Sequence, residues 1–392
     1  MIAPSTVWRI GVSQLVCWGV SYYLIGAFAP AMIADLGWSP AVIHGGYSAG
    51  LLVMGLSSPV IGRLVERHGG RPVMSVGSVL TALGCAGLAV AETRAVYYVA
   101  WIVLGLAMRC TLYDAAFAAL ARIGGAAARR PISQITLLGG LASTVFWPIG
   151  YALAEIVGWR HALFCYAGFA LLTLPLHLAI PGTRAEPREI SSVPGTGSAP
   201  APTPDKTLAA ALYALIVMAT SLLNSAMSAH MIGILHGLGV AAATSVWIAT
   251  LRGVGQSGAR LAEVMFGRRI GPLDLNVLAT SILPIGFVAG LFGGVLGPAA
   301  IGFAFVYGAG NGLATITRGT LPLVLFHPRT YGSLVGWLIT PSFFLAAAAP
   351  LGYALVIERW GPAAALHLSL AVALLTVAAA LVLRLRFGPS RP

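Results

Sequence analysis

The sequence predicts an all-α membrane protein with twelve transmembrane helices in two pseudo-symmetric six-helix halves. Three observations carry this expectation. The 392 residues are 58% hydrophobic and only 9% charged, where a soluble domain carries about 25% charged residues. Apolar runs near the length of about 20 residues needed to cross a bilayer recur along the chain. The hexapeptide P-I-G-Y-A-L, Pro148 to Leu153, returns as P-L-G-Y-A-L, Pro350 to Leu355, an offset of 202 residues.

Turns and charges divide the apolar runs into twelve spans: 10–34, 41–62, 73–91, 95–118, 132–155 and 161–180, then 207–235, 241–265, 274–294, 298–322, 332–357 and 361–384. The first run is too long for a signal-peptide core, so it reads as a retained helix. Most breaks are short, such as Asp35 to Pro40. The break from Pro181 to Lys206 is long and rich in Pro, Gly, Ser and charge, the composition of a disordered linker. The expected organisation is an N-terminal bundle (1–180), a cytoplasmic linker (181–206) and a C-terminal bundle (207–392). The repeated hexapeptides fall in the equivalent spans 5 and 11. A substrate site at the interface of two repeats, near mid-membrane, is the transporter layout.

Basic residues outnumber acidic ones 23 to 11, a formal charge of +12. In a soluble protein this would raise nucleic acid as a partner; here the lipid bilayer is the partner and the arginines read as topology signals. With the N-terminus inside, sixteen basic residues fall in cytoplasmic segments and three, Arg94, Arg160 and Arg359, in outer loops. The asymmetry predicts a multi-pass protein of the bacterial inner membrane with both termini cytoplasmic. The four cysteines lie in apolar segments without a C-x-x-C pair and read as free thiols. The histidines are scattered, so no metal site or cofactor is expected, and no catalytic constellation marks an enzyme.

The remaining four arginines, Arg109, Arg252, Arg260 and Arg318, lie within spans. An arginine at the bilayer centre costs about 2.5–3.5 kcal/mol even on mild scales. Span 8 places Arg252, Gln256 and Arg260 at i, i+4 and i+8, on one face. Arg252 can face a cavity or pair with Asp114; Arg260 can bind a ligand or pair with Glu263. Span 4 carries Arg109, Tyr113 and Asp114. Span 10 carries Tyr307, Asn311, Thr315 and Arg318 as a polar stripe. Span 1 places Gln14, Trp18 and Tyr22 on one face with Tyr23 beside it, and span 7 groups Ser221, Asn224, Ser225 and Ser228. Four intramembrane arginines against Asp114 and Glu263 leave a net +2, and an electropositive cavity concentrates anions.

A family resemblance joins these residues. The run G-R-L-V-E-R-H-G-G-R, Gly62 to Arg71, resembles the loop 2–3 signature of the major facilitator superfamily, with Glu66 where aspartate is usual. The continuation Arg71 to Met74, and the run from Tyr22 through Pro30 to Ser39, resemble its monocarboxylate-porter and oxalate/formate-antiporter branch. The second half repeats the loop weakly at Gly267 to Gly271. The resemblance implies alternating access, a cavity lined by spans 1, 4, 7 and 10, and a gating role for Gly62, Glu66, Arg67, Gly69 and Arg71, in which Glu66 can pair with nearby arginines. It also implies that Arg260, eight residues before Arg268, takes the substrate carboxylate. Gln256 stands where eukaryotic monocarboxylate transporters have an aspartate tied to proton coupling; glutamine cannot titrate, so that mechanism is in doubt at this position.

The sequence-level reading is therefore a monomeric secondary transporter of a small organic anion, expected to be a monocarboxylate. Its expected substrate residues are Arg260, Gln256, Arg252, Tyr22, Asn224, Asn311, Arg109 and Tyr113. Asp114 and Glu263 are the coupling candidates if protons are the partner; exchange with a counter-anion needs neither. A drug or metal-chelate exporter is the rival on the same fold, although F-W-P-I-G-Y in span 5 lacks the paired glycines of drug/proton antiporters. A non-transporting membrane sensor or assembly factor is the rival of another class.

Overall fold

The computed structural model describes residues 2–183, 204–266, 270–295, 297–326 and 331–388. Within these residues the chain is helical throughout. Nine helical stretches are long and apolar enough to cross a membrane, and a tenth span is the pair Pro40–Leu56 and Ser58–His68, bent by 50°. One of the nine, Arg130–Leu178, is two crossings joined at a kink at Gly158. Ala242–Phe266 completes the twelve. Its arginines keep it below the apolarity of the others, so the least hydrophobic span is the one the sequence singles out.

In order, span 1 is Pro4–Leu36, span 2 the bent pair, span 3 Gly70–Ala89 and span 4 Arg94–Gly124; spans 5 and 6 are the two arms of Arg130–Leu178. Span 7 is Thr207–Gly237, span 8 Ala242–Phe266, span 9 Pro272–Leu291, span 10 Gly297–Leu325, span 11 Tyr331–Trp360 and span 12 Pro362–Phe387. Local chemistry sets the ends. Ser39 and Thr93 cap spans 2 and 4 by accepting from Val42 N–H and Val96 N–H. Gly37 closes span 1 at φ +63°. Gly158 and Gly361, both at positive φ, make the turns between spans 5 and 6 and between spans 11 and 12. Large apolar side chains such as Val76, Leu83, Leu172, Leu374 and Leu375 cover the outside, as a lipid-facing surface requires. The linker predicted at 181–206 lies mostly outside the described residues, as do Gly267, Arg268 and Arg269 of the weak second loop.

The twofold repeat is visible in packing. In the first half a Cβ on Gly105 of span 4 would strike the carbonyl oxygen of Gly50 in span 2. In the second half a Cβ on Gly308 of span 10 would strike the carbonyl oxygen of Arg252 in span 8. Gly50 and Arg252 are 202 residues apart, so the same backbone-on-backbone crossing occurs in both halves. Glycine alone permits this approach.

The signature loop sits between spans 2 and 3. Gly69 turns the chain at φ +89°. Gly70 packs where a Cβ would overlap Ala119 of span 4. Arg122 donates to the main-chain oxygen of Glu66, and Arg71 Nε donates to the carbonyl oxygen of Ile180 at 2.7 Å. The expected pairing of the Glu66 carboxylate differs: it is exposed and forms no ion pair among the described residues. The loop is tied through backbone oxygens at helix ends, where guanidinium finds partial negative charge. Gly62 and Arg67 stand on the last helical turns before it, and Arg67 is exposed.

Candidate binding site at the centre of the bundle

Span 1 does not run as a regular α-helix past the bundle centre. Trp18–Tyr22 forms one π-helical turn, with Tyr23 N–H bonded to Trp18 O at 3.0 Å. Beyond this turn Tyr22 meets span 7 and Tyr23 meets spans 5 and 8, and such turns cluster at functional sites. Span 4 breaks at Leu112, between Thr111 and Tyr113. Gln14 of span 1 fills that break by donating Nε2–H to Thr111 O at 2.7 Å.

Tyr22 meets Asn224 of span 7, whose amide Nδ2 donates to the phenol oxygen at 3.1 Å. These residues are themselves 202 apart, so the repeat's equivalent positions touch where the halves face each other. Asn224 Oδ1 accepts from Arg252 Nη2 at 2.7 Å and from Asn311 Nδ2 at 3.0 Å. Arg252 Nη1 donates to Ser228 Oγ at 2.9 Å. Its guanidinium carbon lies 5.3 Å from the ring centroid of Tyr23, 5.5 Å from Tyr307 and 5.9 Å from Trp147. Aromatic faces stabilise a cation at such distances by about 0.5–2 kcal/mol each.

Arg252 is completely buried, and Nε has no hydrogen-bond partner. Ion pairs among the described residues are Arg109–Asp114, Arg160–Asp35 and Arg384–Asp274. The Arg252 charge thus sits among neutral oxygens and aromatic rings, with no carboxylate. Elsewhere on spans 1 and 8, Trp18 Nε1, Gln14 Oε1 and Gln256 Oε1 are also buried without hydrogen-bond partners. An unpaired buried charge is expensive, and the arrangement suits an anion that completes it.

Arg260 forms a second group two turns along span 8, about 12 Å away at 1.5 Å per residue. Its Nη1 donates across the interface to Thr136 O at 2.6 Å. Tyr113 OH donates to the same oxygen at 3.3 Å, and Trp18 packs on Tyr113 with centroids 4.8 Å apart. Next to it Ser257 Oγ donates to Leu137 O at 3.0 Å.

The family model described as Major Facilitator Superfamily matches residues 11–340. The chain belongs to the Major Facilitator Superfamily. It is 30% identical over 184 residues to the multidrug resistance protein MdtL of Escherichia coli, covering 44% of this chain and 46% of that one. Over this match the chain spans about half the length of these curated relatives. Its fold is similar to that of the D-xylose-proton symporter, with a TM-score of 0.77 at 12% identity, covering 97% of this chain and 96% of that one. The nucleoside transporter NupG gives 0.71 at 13% identity, covering 98% of this chain and 100% of that one.

On this superfamily fold the sequence-selected residues divide into three groups. Tyr22, Asn224, Asn311 and Arg252 form one network; Arg260 and Tyr113 form the second; Gln256 lies between them, buried against Gly312. Arg109 and Asp114 make a pair of their own at 2.5 Å, bridging the break in span 4, with Asp114 58% exposed. The alternative of an Arg252–Asp114 pair is therefore not realised, because Asp114 is held by its neighbour five residues away. Glu263 forms no ion pair with Arg260 among the described residues. Arg318 contributes its carbonyl oxygen, which accepts from Tyr213 OH at 2.8 Å. Trp147 completes the Arg252 surround with Tyr23, Ser228 and Tyr307, which the sequence placed on polar faces but not among the expected substrate residues. Tyr307 stands one turn before Asn311 on the same stripe and was legible there; the π turn that precedes Tyr23 has no sequence signal.

Asn224 is the hinge of the network, because its Oδ1 serves two donors. Asn224→Ala is expected to lower thermal stability by about 1–3 kcal/mol, since Arg252 Nη2 and Asn311 Nδ2 lose their acceptor. Melting of the purified protein in detergent measures this, and an unchanged midpoint would count against the network.

Proposed function

We propose that the protein is a monomeric secondary transporter that carries a small organic anion, a monocarboxylate, across the bacterial cell membrane by alternating access. Both termini lie in the cytoplasm, as the arginine asymmetry supports. The observation that carries the anion is Arg252, a fully buried guanidinium with neutral partners and a free Nε. Guanidinium offers a planar fork that matches a carboxylate with two parallel bonds. Arg252 anchors the carboxylate at the meeting point of the halves. Arg260, with Tyr113, is a second station nearer the end that carries the termini. Gln256 lies on the face between the two stations.

Exposure along span 10 supports a path on that side: Tyr307 and Asn311 are buried and Thr315 is exposed. Protons or a counter-anion move as the coupled partner. Coupling through Asp114 would require it to release Arg109.

A second reading, drug export, draws on the similarity to MdtL. A ligand panel separates the two. Monocarboxylates are expected to raise the melting temperature of the purified protein, while their methyl esters and amides do not. At a ligand concentration 100-fold above Kd the stabilisation is about 2.7 kcal/mol. Stabilisation by neutral apolar drugs, with none by carboxylates, would transfer the assignment to export.

A further inference from the structure

At the end of the bundle opposite the termini, His44 of span 2 and His230 of span 7 lie ring against ring. Their centroids are 4.0 Å apart and their planes inclined by 39°. Span 2 belongs to the first half and span 7 to the second, so the pair crosses the interface. Both rings are buried. His230 Nε2–H donates to the carbonyl oxygen of Pro350 in span 11 at 2.8 Å, leaving its Nδ1 as the acceptor of a neutral ring. His44 Nδ1 is buried without a partner. Beside them Leu351 N–H donates to Ser48 Oγ at 3.2 Å, a hydrogen bond between the halves.

Among the described residues the surroundings contain no counter-charge. Tyr47 is the other titratable group on this stretch of span 2. Span 4 brings Tyr97 and Tyr98, whose hydroxyls donate to Ile43 O and Val42 O. Span 11 brings Tyr353, 6.3 Å from His230 and bonded to Ser369 of span 12. The charged side chains at this end, Glu92, Arg94, Glu155, Glu358 and Arg359, are exposed, and Asp35 is held by Arg160. Among the described residues no carboxylate touches either imidazole.

Two neutral imidazoles pack here as ordinary rings. A proton added to either puts a cation into a dry contact with nothing to balance it, and a second would repel the first at close range. The charge is accommodated by water, and water enters only if the halves part. We infer that the His44–His230 pair is a proton-operated latch: neutral, it holds this end shut; protonated, it releases span 2 from spans 7 and 11 and opens it. This gives the coupling partner a binding site outside the carboxylates of spans 4 and 8. It shares with the proposed function the alternating exposure of the site, not the anion.

The test needs no substrate. Spin labels on Ser39→Cys and Ala243→Cys, in a Cys165→Ser background, report the separation of the halves at this end. From about pH 8 to about pH 5, the range in which histidine changes charge, the distance distribution is expected to shift from short to long. In His44→Gln/His230→Gln the amides keep the hydrogen bonding but cannot titrate, and the short distance is expected throughout. A wild-type distribution independent of pH, or an unchanged shift in the double variant, overturns the latch. If the double variant does not fold, His44→Phe and His230→Gln singly are each expected to move the midpoint of the shift; unmoved midpoints in both overturn it as well. Because no anion is present, failure here is distinct from failure of the carboxylate assignment.

Discussion

Arg252→Met is expected to abolish carboxylate binding while leaving the unliganded protein as stable as the wild type, or more so. The two halves of this expectation have one cause. A buried guanidinium without a carboxylate loses hydration and regains only part of it from Asn224, Ser228 and three aromatic faces. Methionine fills much of the same volume and carries no charge. It leaves few orphans: Asn224 Oδ1 keeps its bond from Asn311, and Ser228 Oγ still donates to Asn224 O at 2.6 Å. The unliganded state is thus relieved of a desolvated cation. The liganded state loses its charge-assisted fork, an interaction whose removal typically costs about 2–5 kcal/mol, or roughly 30- to 4,000-fold in Kd. Arg252→Lys keeps the charge without the fork and should fall between. Thermal melting with and without carboxylate, alongside equilibrium binding, reads both quantities. Carboxylate affinity unchanged in Arg252→Met would sink the assignment; a collapse of unliganded stability would make Arg252 a structural residue.

Arg260 invites the same treatment with a different expected result. Its guanidinium already has a strong acceptor in Thr136 O across the interface, so it bears on the contact between spans 5 and 8 as well as on the path. The contrast shows where sequence reasoning reached. Spacing alone put Arg252, Gln256 and Arg260 on one face, and put Tyr22 and Asn224 on the polar faces of spans 1 and 7. What spacing could not supply was depth and partners. Arg252 and Arg260 look alike in the sequence, yet one is surrounded by aromatic rings at the axis and the other is tied to a backbone oxygen. That difference arises from the π turn at Trp18–Tyr22 and the break at Leu112. Each is a local departure from helical geometry stabilised by tertiary contacts, such as Gln14 donating to Thr111 O. Asp114 was legible as an intramembrane acid, but its partner was not, because Arg109 reaches it only across the break. The gross fold was more accessible, since apolar length, turn and charge breaks and the 202-residue repeat are all local or periodic signals.

Gly308→Val is expected to be the most destabilising single change near the site, and to weaken binding with it. Any Cβ at this position would overlap the carbonyl oxygen of Arg252, and its next neighbours are the backbone carbon and Cα of the same residue. No rotamer change relieves contact with main chain. Spans 8 and 10 must move apart, and overpacking of this kind costs about 1–3 kcal/mol or more. The displacement carries Arg252 away from Tyr307 and Asn311, so affinity falls although no ligand-facing side chain has changed. Two controls separate the effects. Gly258→Ala, on the same span as Arg252 with nothing within 4 Å of the added carbon, should be neutral or slightly stabilising, because alanine favours helix by about 1 kcal/mol over glycine. Gly105→Val makes the equivalent collision with Gly50 in the first half, where the crossing residue bears no side chain. It should cost comparable stability with a smaller loss of affinity. If Gly105→Val and Gly308→Val weaken binding equally at matched stability, the tight crossing serves the fold alone, and the position of Arg252 is set elsewhere.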